Sequence, residues 1–246
     1  MAKIDYETIK MYKVHKSLLF EGWDGTRLDL LMKRLQMALS RILGVQFKPL
    51  FGDRIVEYPL FFQHLNPNAK TVLDFGCVED LLPLHLASLG YQVHGLDFRN
   101  YVFEHPNFKF TQGDILTWNP PENFFDVVCS ISTVEHVGLT GYGDPEKSDG
   151  DKVAIQKLWT ALKPGGDLIL TMPAGKATTR RNMRIYDLER IKEVVPNPRI
   201  VRFFAKQTRY GNWSEVSSEQ IKNLVYEDYE APITPGQGVA FIVSTK

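Results

Sequence analysis

Between residues 70 and 173 the chain alternates short apolar runs with amphipathic stretches. The runs at 71–75, 92–96, 108–112, 125–130 and 167–172 have the length of strands, and helical spacing is found at 81–89 and 151–162. That alternation predicts a parallel sheet built from right-handed crossover units. Beyond Pro173 the pattern predicts a helix over 187–195, with Asp187 as its N-cap, and strands over 199–206 and 239–244. The stretch 231–238, rich in Pro and Gly, reads as a loop.

The N-terminal region follows a different period. Over 26–44, Leu28, Leu31, Leu35, Leu39, Ile42 and Leu43 share one helical face, Lys33, Arg34 and Arg41 lie elsewhere on the wheel, and Gly44 closes the helix. Such a helix serves as a packing element, a lid or a homodimer surface. A second helix is expected over 54–64, with Pro59 tolerated only in a first turn or at a kink. The expected organisation is an N-terminal helical extension at 1–53 and one α/β domain at 54–246. The 246 residues, 43% hydrophobic, are enough for such a domain with its own core.

Charge and cysteine content narrow the partners. Lys+Arg and Asp+Glu are equal at 29 each, so no global field favours nucleic acid. Cys77 and Cys129 both fall in apolar, strand-like surroundings and are expected to be reduced. With no apolar run long enough to span a bilayer and no signal-peptide core at the start, a cytoplasmic location is expected.

In an open α/β sheet the chemistry lies just past the carboxyl ends of the strands. Polar residues stand there in this chain. Asp74 closes the first run and Gly76 follows it, Asp97 follows the second and Asp114 the third, and Glu135 and His136 come shortly after the fourth. A carboxylate such as Asp97 can accept two hydroxyl hydrogen bonds from a ribose, or can simply close a turn. Asp114 has the same two readings. Histidine titrates near neutrality, so His136 suits a general base, while burial under the sheet is its plainer role. The acidic stretch Asp144, Glu146, Asp149 and Asp151 reads as a solvated loop, with Asp151 as a helix N-cap, and no metal is expected. Lys176, Arg180, Arg181 and Arg184 crowd the segment after the fifth run, either as an anion site or as a solvated basic loop.

The segments Val72-Leu73-Asp74-Phe75-Gly76-Cys77, Leu96-Asp97, Gln112-Gly113-Asp114 and Leu162-Lys163-Pro164-Gly165-Gly166 resemble, in order and spacing, the class I S-adenosylmethionine-dependent methyltransferases. The resemblance covers residues 70–173. It implies a Rossmann-like, doubly wound, mostly parallel seven-stranded sheet ending in an antiparallel C-terminal hairpin, with S-adenosylmethionine as cofactor. By that resemblance the turn of Asp74, Gly76 and Cys77 passes the methionine moiety, Asp97 holds the ribose, and Asp114 with the Ile115 N–H meets the adenine. The first turn departs from the family pattern, with Val78 and Asp80 where glycines are common. Its acids suit the ammonium of the methionine moiety and would repel the pyrophosphate of a nicotinamide dinucleotide.

The run Ser132-Thr133-Val134-Glu135-His136-Val137-Gly138, with Gly150-Asp151 and Arg184-Ile185-Tyr186, resembles a methyltransferase-like subfamily whose members accompany polysaccharide biosynthesis genes. This implies O-methylation of a sugar, nucleotide-sugar or glycan hydroxyl, with Glu135 and His136 as catalytic residues and Arg180, Arg184 and Tyr186 touching an anionic acceptor. The competing readings are a binding module that keeps the fold without transfer and a nicotinamide-dependent oxidoreductase.

Overall fold

The structure, a computed structural model, describes residues 52–78, 80–139, 147–207, 212–226 and 236–246. The expected helix over 26–44 and nearly all of the proposed extension lie outside the described residues. From there the elements run α1 (Arg54–His64), β1 (Thr71–Phe75), α2 (Leu82–Ser88), β2 (Gln92–Asp97), β3 (Phe108–Gln112) and β4 (Phe125–Ile131). A 3-10 turn (Val134–His136), α3 (Gly150–Ala161), β5 (Leu162–Pro173), β6 (Thr178–Thr179) and β7 (Arg184–Ile185) follow. The chain then forms α4 (Leu188–Val194), β8 (Pro198–Lys206), β9 (Ser214–Val216), α5 (Ser218–Asn223) and β10 (Gln237–Thr245).

The main sheet has eight strands in the order β3-β2-β1-β4-β5-β10-β8-β9, and β6 and β7 form a separate ribbon. Strands β1 to β5 pair with one another in parallel, while β10 runs antiparallel to both β5 and β8. Two expectations are corrected. The sheet gains an eighth strand, because the short β9 pairs with the edge of β8. The late antiparallel pair is not a hairpin, since β9 and α5 intervene between β8 and β10.

Alternation along the central strands divides the core. Leu73, Val128, Leu168 and Leu170 pack with Ile155 and Leu158 of α3 on one face. Val72, Val127, Cys129 and Ile169 pack with Leu60 and Phe61 of α1 and Leu86 of α2 on the other. Asp74 shares the parity of Val72 and so points toward α1 and α2. Pro59 lies in the second turn of α1 with its ring exposed, so the hydrogen bond it removes is on the solvent side. Asp187 caps α4 as expected, its side chain accepting from the Arg190 N–H. No helix among the described residues is long and apolar enough to cross a membrane.

The segment Lys163 to Gly166 belongs to β5. Gly165 has a positive φ of 79°, and its N–H and the Gly166 carbonyl bond the backbone of Lys246, just past β10.

Asp126 fastens the opposite, amino end of the sheet. It accepts from the N–H groups of Lys70 and Thr71, each at 2.9 Å, and from Lys163 Nζ at 2.6 Å. Despite partial burial, these donors hold its carboxyl well below the usual carboxylate range. Asp126→Ala is expected to lower the unfolding free energy at pH 7 by about 1.5–3 kcal/mol, the range for hydrogen bonds to a charged group. A depressed carboxylate stabilises above its unfolded pKa and loses that contribution as pH falls through the folded one, so the gap should close in acid. Urea unfolding at pH 7 and pH 3 measures it, and equal differences at both would refute the role.

Candidate active site

The strand order reverses between β1 and β4, which opens a crevice past their carboxyl ends. Asp74 is at the end of β1, 2% exposed, with one oxygen 3.6 Å from the Cys129 thiol. Its other oxygen, Oδ2, is buried without a hydrogen-bond partner among the described residues. Burial, and then the neighbouring Asp80 charge, hold Asp74 well above the usual carboxylate range. Asp80 itself accepts from the Leu82 N–H at 2.8 Å and from Tyr58. Burial pushes it up to about 6, against the pull of Arg54.

Gly76 is required by its backbone, with φ at 84°. A Cβ there would lie 2.1 Å from Thr133 Oγ1, so the space is filled by the turn after β4. The Cys77 side chain is fully buried and packs with Leu84 and Tyr101. Only its backbone faces the turn.

Asp97, 4% exposed, accepts from the Val78 N–H at 3.0 Å and the Arg99 N–H at 2.8 Å, one on each oxygen. It joins the turn after β1 to the end of β2. Oδ1 also receives Arg99 Nε at 3.4 Å, a second donor on that oxygen. Asp114 is half-buried and accepts from the Leu116 N–H at 2.8 Å. The Ile115 side chain is buried in the core.

Helix α1 supplies residues that the sequence did not single out. Glu57 is fully buried, is paired with Arg54, and accepts from Ser132 Oγ and Thr171 Oγ1, both at 2.6 Å. It thereby ties α1 to the carboxyl ends of β4 and β5. The available signal was one acid among Val56, Leu60 and Phe61 on the buried face of α1.

Beyond β4, Glu135 is 1% exposed and its Oε2 has no hydrogen-bond partner among the described residues. Burial holds its carboxyl well above the usual range, and the charge of Glu57 adds to that. His136 Nε2 lies 3.7 Å from Glu135 Oε1. On the other side of the ring, Nδ1 meets the Asn182 carbonyl in the turn between β6 and β7. A carbonyl only accepts, so Nδ1 carries the proton and in the neutral ring Nε2 holds the lone pair.

Within the basic segment, the expected acceptor contacts Arg184 and Tyr186 turn inward. Arg184 is 1% exposed, and its nitrogens donate to the carbonyls of Glu135, Val137, Lys147 and Ser148. Tyr186 is fully buried and donates to Asp151 at 2.7 Å, so neither presents itself to an acceptor. Arg180 donates to the Tyr226 carbonyl, while Lys176 and Arg181 are exposed. Asp144 and Glu146 lie outside the described residues, and no metal-binding cluster is found among the described ones.

The sulfonium and ammonium of S-adenosylmethionine are cationic. Asp74 at the end of β1 and Glu135 beyond β4, each with an oxygen unpartnered among the described residues, would suit that charge once ionised beside it, and Asp97 at the end of β2 is an acceptor of the kind a ribose hydroxyl needs. The residues present fit the cofactor.

Comparison with known proteins agrees with the fold. The chain is similar to the ubiquinone biosynthesis O-methyltransferase of Stutzerimonas stutzeri, with 24% identity over 206 residues, 77% of this chain and 81% of the relative. It is 28% identical over 154 residues to that of Paraburkholderia phymatum, covering 58% and 59% of the two chains. Among solved structures, a putative methyltransferase from Bacillus halodurans aligns with a TM-score of 0.53 at 15% identity, covering 79% of this chain and 99% of the other. The 1,6-didemethyltoxoflavin-N1-methyltransferase of Burkholderia thailandensis, solved with 1,6-didemethyltoxoflavin and S-adenosylhomocysteine, aligns at 0.52 and 13% identity over 93% of this chain and 94% of that one. The architecture is that of the Rossmann-like methyltransferases. A family model described as Caenorhabditis protein of unknown function, DUF268, matches residues 100–229, more than half of the chain, and the chain belongs to that family.

Proposed function

We propose that this protein is an S-adenosylmethionine-dependent methyltransferase that transfers a methyl group to a hydroxyl. The observation that carries the reading is the pair of buried carboxylate oxygens, Asp74 Oδ2 and Glu135 Oε2, unpartnered among the described residues and beside the strand-order reversal. An uncompensated acid is expensive to bury, and a cationic ligand offsets that cost. In this reading Asp74 and Asp80 face the methionine ammonium, Asp97 accepts from the ribose, and Asp114 with the Ile115 N–H meets the adenine. S-adenosylmethionine supplies the electrophilic methyl group. His136 takes the acceptor's proton at Nε2 as the new C–O bond forms, and Glu135 alongside steadies the imidazolium.

The acceptor we propose is a sugar or glycan hydroxyl, following the resemblance of the segment from Ser132 to Gly138. Because Arg180 and Arg184 are engaged within the protein, a neutral acceptor suits the site better than a phosphate-bearing one. A phenolic hydroxyl is the second reading, favoured by the similarity to O-methyltransferases of ubiquinone biosynthesis.

The test has two stages. Titration calorimetry with S-adenosylhomocysteine should show one site per chain, and failure to bind would sink the reading. Binding of NAD(P) in its place would favour an oxidoreductase. Release of S-adenosylhomocysteine is then followed against neutral sugars, nucleotide sugars and phenols. Cofactor binding with no turnover on any acceptor would favour a non-catalytic binding module.

A further inference from the structure

We propose that Arg184 is the positioning residue of His136. The inference rests on the reading of His136 as the base, and goes beyond it by assigning what fixes the orientation of the ring. Arg184 Nη1 donates to the Val137 carbonyl at 2.7 Å and the Glu135 carbonyl at 3.2 Å, the two carbonyls that flank His136 in the chain. Nη2 donates to the carbonyls of Ser148 and Lys147 at 3.1 and 3.2 Å, just before α3. One planar fork therefore joins the 3-10 turn carrying His136 to the entry of α3.

The glycines of this region let the two strands of chain meet over that fork. Gly138 has φ at 74°, and a Cβ there would lie 2.4 Å from the Lys147 carbonyl oxygen. A Cβ at Gly150 would lie 2.3 Å from the Val137 carbonyl oxygen. Neither position accepts a side chain without separating the segments that Arg184 bridges. The guanidinium is itself oriented by Asp151, whose Oδ1 is 3.4 Å from Nε, while Tyr186 donates to the other Asp151 oxygen.

Arg184 also controls the other side of the imidazole. It belongs to β7, two residues after Asn182, whose carbonyl holds His136 Nδ1. The same short segment thus fixes the backbone around His136 and the proton on its ring. A lysine at 184 keeps the charge but has no fork with which to satisfy four carbonyls.

The test reads the tautomer of His136 by long-range 1H–15N NMR on the full chain, with S-adenosylhomocysteine titration on the same samples. The parent should show the Nδ1–H tautomer with a slowly exchanging Nδ1 proton. Arg184→Lys should lose that signature and show rapid exchange. Tyr186→Phe, which deletes only the hydroxyl contact to Asp151, should lower the thermal midpoint while leaving the tautomer unchanged. If Arg184→Lys does not fold, Asp151→Asn replaces it, since it loosens the guanidinium without changing volume, and a partial loss of the signature is expected.

An unchanged signature in Arg184→Lys, or in Asp151→Asn used in its place, would overturn the assignment. So would equal loss in Tyr186→Phe, because general loosening would then explain both. The titration is independent: a parent that shows the tautomer but binds no S-adenosylhomocysteine refutes the methyltransferase reading and leaves the positioning role standing.

Discussion

His136→Gln is expected to lower turnover by a factor on the order of 10²–10⁴, the range for removing a general base, while leaving affinity for S-adenosylhomocysteine nearly unchanged. The amide of glutamine bonds but does not take up a proton. The ring is held with Nδ1 on the Asn182 carbonyl and Nε2 beside Glu135. The measurement is the rate of S-adenosylhomocysteine release at saturating acceptor, read with calorimetry on the same variant. Turnover within about threefold of the parent would mean that alignment of acceptor and sulfonium supplies the rate, and that His136 is a packing residue.

Much of this architecture is written in the period of the apolar residues. The strands at 71–75 and 108–112 begin and end in the structure where the pattern places them, because each apolar run is bounded by polar or turn-forming residues. The acids at the strand ends were legible for the same reason, since a strand that stops on an aspartate puts it at the crevice. Their bonds were not. Nothing in the sequence near Asp97 announces that it accepts from the Val78 N–H, nineteen positions away.

Arg184 and Tyr186 show the sharper limit. A basic residue in a basic stretch suggests an exposed anion site, yet charge alone does not report burial, and the four carbonyls that receive Arg184 come from two distant segments. The glycines that let those segments approach, Gly138 and Gly150, stand in the motif without declaring what they accommodate. Glu57 was hidden differently. One glutamate on an amphipathic helix is ordinary, and its role depends on Ser132 and Thr171, far along the chain.

The acids of the first turn give the other large expected effect, in which stability and binding move in opposite directions. Asp80 is pushed up to about 6 by burial, so the folded protein holds its proton more tightly than the unfolded chain does. A group raised in this way contributes stability that is fully present below its unfolded pKa near 4 and is lost as pH rises through 6. Asp126 acts in the opposite sense and in a more acidic window, so the two separate in a pH series. Asp80→Asn removes the ionisation while keeping an oxygen for the Leu82 N–H. Without ligand, the variant should be more stable than the parent by on the order of 1–3 kcal/mol at pH 8 and should match it near pH 4. Its affinity for S-adenosylmethionine at pH 8 should fall by roughly tenfold to a hundredfold, because an amide replaces the charge proposed to receive the ammonium. Scanning calorimetry from pH 4 to pH 8 gives the first quantity and titration calorimetry the second. A variant that is less stable at pH 8, or that binds as tightly as the parent, would show that Asp80 is a structural turn residue. If both effects appear together, the acids past β1 are kept at a cost in stability for the cation they receive.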